Sequence, residues 1–217
     1  LRWSLSKLMV NTQADFLELA VKVKALLFGN FTLKSGKKSL YFFNISAFLE
    51  SGYISNLADL FSQKIIQSEI EFEVIFGPAY KGIPLAAAVA TKLSQQLSKP
   101  IAVCFDRKEK KDHGEGGVLV GSVKDKKVLI IDDVLTAGTA LKSSINLIKE
   151  AEGVVSAAIV ALDRQEIEDD QQVSISLEKL LKIPIYSISN LENLISYLES
   201  SDKNRDIAEK LKSSLKK

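Results

Sequence analysis

Residues 128–140 read Val-Leu-Ile-Ile-Asp-Asp-Val-Leu-Thr-Ala-Gly-Thr-Ala, and no other stretch constrains the fold as tightly. Val128, Leu129, Ile130 and Ile131 form a continuous β-prone apolar run, the signature of a strand buried on both faces of a parallel sheet. Asp132 and Asp133 stand where that strand ends. The turn Thr136, Ala137, Gly138 and Thr139 then opens a helical pattern over residues 140–150. In open α/β sheets ligands bind beyond the carboxyl ends of the strands. A small-residue turn entering a helix offers backbone N–H groups and a positive dipole end to an anion. The turn therefore suits phosphate, and the two acids suit hydroxyl groups or a divalent metal. An ordinary βα turn whose acids cap the helix is the competing reading. No Gly-Lys-Ser/Thr follows Gly138, and the Gly-x-Gly-x-x-Gly spacing is absent, so neither a Walker loop nor a dinucleotide fingerprint is present.

A chain of 217 residues with 46% hydrophobic and 26% charged content fits one soluble α/β domain. Its net charge of +2 gives no global electrostatic case for nucleic acid or a membrane surface. No apolar run approaches the roughly 20 residues of a membrane span, and the first residues lack a signal-peptide apolar segment. Cys104 is the single cysteine, so an internal disulfide is excluded and a cytoplasmic setting is expected. It lies within the apolar run 101–105, as a buried strand residue would.

Apolar spacing predicts an amphipathic helix over residues 12–28, capped by Asn11 or Thr12 and stopped by Gly29. Residues 31–44 read as a hairpin turning at Ser35, Gly36, Lys37 and Lys38. Within it Lys34 either meets an anion or is merely solvated, and Phe42 and Phe43 read first as core aromatics, with stacking on a planar ring as the alternative. A second helix is expected over 51–67, a buried strand over 73–77, and a turn carrying Tyr80 and Lys81 before a helix over 83–97. Residues 106–117 hold four basic side chains, the only histidine and three glycines. They read as a mobile surface loop that either is merely solvated or closes as a cationic lid over an anionic substrate. Strands follow over 154–162 and 185–188, with a helix near 191–198. Residues 166–173 read as an exposed loop, and residues 202–217 as a basic, exposed helix. Arg164, at a strand's carboxyl end, either takes a ligand carboxylate through two parallel hydrogen bonds or pairs with Glu166. The order predicts an α/β fold, a mainly parallel central sheet flanked by helices, with a small N-terminal β-hairpin hood.

Five segments in order resemble the orotate phosphoribosyltransferases, within the type I phosphoribosyltransferase family. They are the hairpin from Thr32 to Asn44, the Gly77 to Gly82 turn, the 107–117 loop, the 128–140 motif and the stretch from Leu162 to Glu166. The resemblance implies one domain over 1–217, with a hood at about 12–50, a core at about 70–190 and a catalytic loop at 107–117. It implies that phosphoribosyl pyrophosphate (PRPP) is bound by Lys34, Tyr80, Lys81, Arg107, Lys108, Lys111, His113, Asp132, Asp133 and the segment Val134, Leu135, Thr136, Ala137, Gly138, Thr139 and Ala140. Orotate would meet Lys34, Phe42, Phe43, Thr136 and Arg164, and catalysis would fall to Lys111, His113, Asp132 and Asp133. Mg2+ would ride on the PRPP, reaching Asp132 and Asp133 through water, with no direct protein ligand. A homodimer sharing the 107–117 loop between subunits is also implied. The expected reaction joins orotate to PRPP, giving orotidine 5′-monophosphate and pyrophosphate in pyrimidine biosynthesis. A non-catalytic PRPP sensor needs neither hood nor lid, and a purine enzyme has no use for Arg164 as a carboxylate partner.

Overall fold

The computed structural model describes residues 12–33, 36–111, 117–200 and 205–214, excluding the side chains of 108–111, 117 and 214. Its centre is a six-stranded sheet built from β3 (Val74–Gly77), β4 (Ala102–Lys111), β5 (Gly117–Val120), β6 (Lys127–Leu135), β7 (Val154–Asp163) and β10 (Ile185–Asn190). The strand order is β10-β7-β6-β3-β4-β5, with all neighbours parallel except the antiparallel edge strand β5. From β3 the chain moves outward through β4 and β5, then returns to the other side of β3 as β6. The order therefore reverses between β3 and β6, which opens a crevice at their carboxyl ends.

Alternation along β6 explains why the sheet is covered on both faces. Leu129 and Ile131 enter one core with α1 (Thr12–Lys22), α3 (Ile54–Gln67), α4 (Gly82–Leu97) and α7 (Leu191–Glu199). Val128 and Ile130 enter the other, against Leu141, Ile145 and Ile148 of α5 (Thr139–Glu150) and Val173 and Leu177 of α6 (Val173–Leu181). A period of two on a strand buried on both sides demands this division. Cys104 lies in the second core, and burial pushes its thiol up to about 11, which suits packing rather than nucleophilic chemistry.

The hood is an antiparallel pair, β1 (Leu26–Thr32) with β2 (Lys38–Phe43), followed by the short helix α2 (Ser46–Glu50). Here the sequence expectation is corrected. Helix α1 ends at Lys22, not at Gly29, because Lys24 turns left-handed at φ 60° and Leu26 begins pairing with Phe43. Leu26, Leu27 and Phe28 satisfy a helical stripe and a strand equally well, and the partner strand decides. Gly29 instead sits in the register shift between Phe28 and Phe31.

Three further expectations change. Residues 106–111, read as mobile loop, continue β4, with Asp106 opposite Leu119 and Lys111 opposite Gly117. Backbone pairing does not require apolar side chains, so a charged run can extend an edge hairpin. Residues 167–172, read as loop, form the small antiparallel pair β8 (Ile167–Glu168) and β9 (Gln171–Gln172), and the helix α6 that follows was not anticipated. The C-terminal helix α8 (Arg205–Ser214) is basic but not wholly exposed: Ala208 and Leu211 enter the first core beside α7.

Candidate active site

The β6–α5 turn is built to receive an anion. Strand β6 runs through both acids to Leu135, farther than the apolar run alone indicated, with Val134 and Leu135 paired to Leu162 and Asp163. Gly138 then takes φ 72° as the cap residue of α5, and no side chain caps that helix. Its first N–H groups therefore stay available to a ligand. A cavity of about 250 Å3 lies under the turn, lined by Asp132, Val134, Leu135, Thr136, Gly138, Thr139 and Ala140 among others. Ala137 belongs to the same turn but does not line the cavity.

Leu177 of α6 buttresses this turn. A Cβ on Gly138 would lie 2.3 Å from Leu177 Cδ1, in a left-handed conformation that side chains rarely adopt. Gly138→Ala is therefore expected to destabilise the protein by about 1–2 kcal/mol and to weaken phosphate binding at the turn. Thermal unfolding and calorimetry check this, and wild-type values for both would contradict it.

Alternation sends the two acids in different directions. Asp133 accepts an ion-paired hydrogen bond from Lys81 Nζ at 3.1 Å, across the crevice between β3 and β6. Asp132 faces the cavity and accepts from the backbone N–H of Asp133 at 2.8 Å. Burial, followed by the neighbouring Asp133 charge, pushes the Asp132 carboxyl up to about 7. A carboxyl raised in this way contributes stability that is complete below about pH 4 and lost as pH rises through about 7. The ligand-free protein is thus expected to lose stability over that interval, by a few kcal/mol at most, and Asp132→Asn to flatten the slope. Thermal unfolding of both proteins from about pH 4 to 8 is the check; identical slopes would contradict the assignment.

The β3–α4 turn is equally tight. A Cβ on Gly77 would lie 2.2 Å from the Gly82 carbonyl oxygen, so strand end and helix start touch through backbone. Ala79 N–H donates to Asp106 Oδ1 at 2.6 Å, tying this turn to β4. The peptide between Ala79 and Tyr80 is cis, and Tyr80 is 64% exposed.

Arg164 is buried at the carboxyl end of β7. Its Nη2 donates to Ser39 Oγ of the hood at 2.9 Å, its guanidinium carbon lies 4.3 Å over the Tyr41 ring, and Glu166 Oε1 is 3.4 Å from its Nε. Both sequence readings of Arg164 are thus physically open: the Glu166 contact exists, and the guanidinium stands beside the hood. Phe42 and Phe43 are split by strand alternation. Phe42 is 39% exposed next to Phe31, whereas Phe43 is 7% exposed and packs 5.9 Å from Phe16 in the core. The pair therefore does not present two rings to a ligand.

Arg107 lies on β4, and its buried Nη1 has no hydrogen-bond partner among the described residues. Lys108 and Lys111 lie on the β4 backbone with their side chains undescribed, and Lys34 and His113 fall outside the described residues. Residue-by-residue reading missed Ser39, Tyr41 and Asp106. Their signal was positional: Ser39 and Tyr41 share one face of β2 through i, i+2 spacing, and Asp106 ends the apolar run of β4.

Comparison with known proteins follows the same lines. A phosphoribosyl transferase domain model matches residues 46–187. The orotate phosphoribosyltransferase of Kluyveromyces lactis is 53% identical over 196 residues, covering 86% of this chain and 87% of that one. That of Cellvibrio japonicus is 41% identical over 206 residues, covering 94% and 96%. The crystal structure of the Francisella tularensis orotate phosphoribosyltransferase superposes with a TM-score of 0.80 at 38% identity, covering 92% of this chain and 96% of that one. With its sheet order, its acid-bearing strand and its open helix start at Gly138, the chain belongs to the phosphoribosyl transferase domain family, among the orotate phosphoribosyltransferases.

Proposed function

We propose that this chain transfers the 5-phosphoribosyl group of PRPP to N1 of orotate, releasing pyrophosphate and forming orotidine 5′-monophosphate for pyrimidine biosynthesis. The observation that carries the reading is that a phosphate-ready turn and a buried, hood-facing arginine stand on neighbouring strand ends, with Arg164 N–H donating to Leu135 O at 3.1 Å. The N1–C1 bond forms as the C1–pyrophosphate oxygen bond breaks, and the N1 proton leaves to solvent or base. Positive charge develops at C1 and negative charge on the pyrophosphate. Preorganised opposite charges are the main means of lowering such a barrier.

The turn from Thr136 to Ala140 holds the 5′-phosphate on backbone N–H groups, and Asp132 and Asp133 accept from the ribose hydroxyls. Lys81 is placed to leave Asp133 for the pyrophosphate, joined by Arg107, Lys108, Lys111 and His113 from the β4–β5 hairpin. Arg164 takes the orotate carboxylate, Phe42 presents an exposed ring, and Lys34 and Thr136 complete the base site. A buried carboxyl raised to about 7 gains most from a nearby dication, so the Asp132 and Asp133 pair fits Mg2+ carried by PRPP and held through water. When bound, that ion supplies positive charge against the departing pyrophosphate. The chain acts as a cytoplasmic homodimer, with the 107–117 segment reaching toward the neighbouring site. No helix among the described residues is long and apolar enough to cross a membrane.

Incubation with orotate, PRPP and Mg2+, followed by phosphorus NMR, is expected to show a nucleoside monophosphate and pyrophosphate appearing in equal amounts. PRPP breakdown to ribose 5-phosphate without nucleotide would contradict the transfer.

A further inference from the structure

Arg164 is 9% exposed, and its guanidinium is held by Ser39 and Tyr41 of β2 on one side and by Glu166, two residues on in the chain, on the other. Ser39 Oγ, which accepts from Arg164 Nη2, also donates to Tyr41 O at 2.7 Å and accepts from Tyr41 N–H at 3.3 Å. One donor and two acceptor positions are all that a hydroxyl offers, so Ser39 is fully engaged. On the other side, Glu166 Oε1 faces Arg164 Nε at 3.4 Å, a charge contact not aligned as a hydrogen bond. Glu166 Oε2 accepts from Lys37 Nζ at 2.8 Å, and Lys37 immediately precedes β2 of the hood.

A guanidinium carries five N–H donors. With Nε facing Glu166 and one Nη2 hydrogen on Ser39, the Nη1–Nη2 edge, hydrogen-bonded to no other side chain among the described residues, can form the fork that a carboxylate needs. Lys37, Glu166 and Arg164 together carry a single net positive charge, the complement of one carboxylate. Glu166 itself, as an anion, would repel that carboxylate at close range, so its useful position is behind the guanidinium and not beside the ligand.

We infer that Glu166 is a positioning residue for orotate: by bridging Lys37 of the hood to Arg164 just beyond β7, it fixes the guanidinium plane and ties the hood to the base site. This rests on the orotate reading above. Glu166 touches no substrate in this scheme and acts through Arg164.

The test is steady-state kinetics with each substrate varied in turn. Glu166→Ala is expected to raise the KM for orotate about tenfold while the KM for PRPP stays within about twofold. In an Arg164→Ala background the same change should add less than about twofold, because its effect passes through that guanidinium. Lys37→Ala, at an exposed position that the core does not need, is expected to raise the orotate KM about threefold and covers the case in which Glu166→Ala does not fold. Equal rises in both KM values, or multiplicative effects in the double variant, would overturn the inference. A wild-type protein that makes no nucleotide from orotate overturns the functional reading itself. An active wild type with an unchanged Glu166→Ala or Lys37→Ala overturns only the role of Glu166.

Discussion

Arg164→Ala is expected to raise the KM for orotate at least about a hundredfold while leaving the KM for PRPP within about threefold. Arg164 follows β7, and its backbone N–H donates to Leu135 O at 3.1 Å beside the 128–140 turn; truncating the side chain leaves that backbone bond in place, so phosphate binding should persist. Two effects add at the base site. On the proposed reading the orotate carboxylate would lose a charge-assisted, two-point partner, and Glu166 is left partly buried with only the half-exposed Lys37 to balance it. Arg164→Lys should recover little, since a point charge cannot reproduce the planar fork or its stacking on Tyr41. Initial rates at fixed saturating PRPP give the answer, and a change below about threefold in the orotate KM would remove Arg164 from the base site.

Asp133→Ala is expected to lower kcat/KM for PRPP by about a hundred- to a thousandfold. The carboxylate is almost buried and pairs with Lys81 at 3.1 Å across the β3–β6 crevice. On the proposed reading its removal would take away an acceptor for the ribose hydroxyls or metal-bound water, and it leaves Lys81 without its carboxylate partner. Because Lys81 is half exposed, water can satisfy it, and the thermal midpoint should fall by only a few degrees. The separation of a large kinetic effect from a small stability effect is the distinctive outcome. A loss below about threefold would mean that Asp133 serves the fold alone.

The parallel sheet and its phosphate turn were legible in the sequence because β6 states them locally: four apolar residues, two acids, then small residues before a helix. The site's sidedness was not legible. Asp132 and Asp133 are adjacent letters, yet pleating sends one to the cavity and the other to Lys81, and the strand runs four residues past the apolar run. The same alternation buries Phe43 and exposes Phe42, which the motif as a string does not distinguish. Leu26, Leu27 and Phe28 misled because a short apolar run satisfies a helix and a strand alike, and pairing with β2 settled the choice. Residues 106–111 misled for the opposite reason: charge density indicates exposure but not the absence of a strand. The grip of Ser39, Tyr41 and Glu166 on Arg164 joins residues up to 125 positions apart, and no local pattern announces it.

The most direct measurement is the ultraviolet absorbance of orotate on mixing protein, PRPP and Mg2+, with adenine and hypoxanthine as parallel bases. The account predicts a fall in orotate absorbance that requires all three components, and no consumption of either purine. Stable orotate absorbance alongside calorimetric PRPP binding would contradict it, leaving a PRPP-binding protein without this transferase activity.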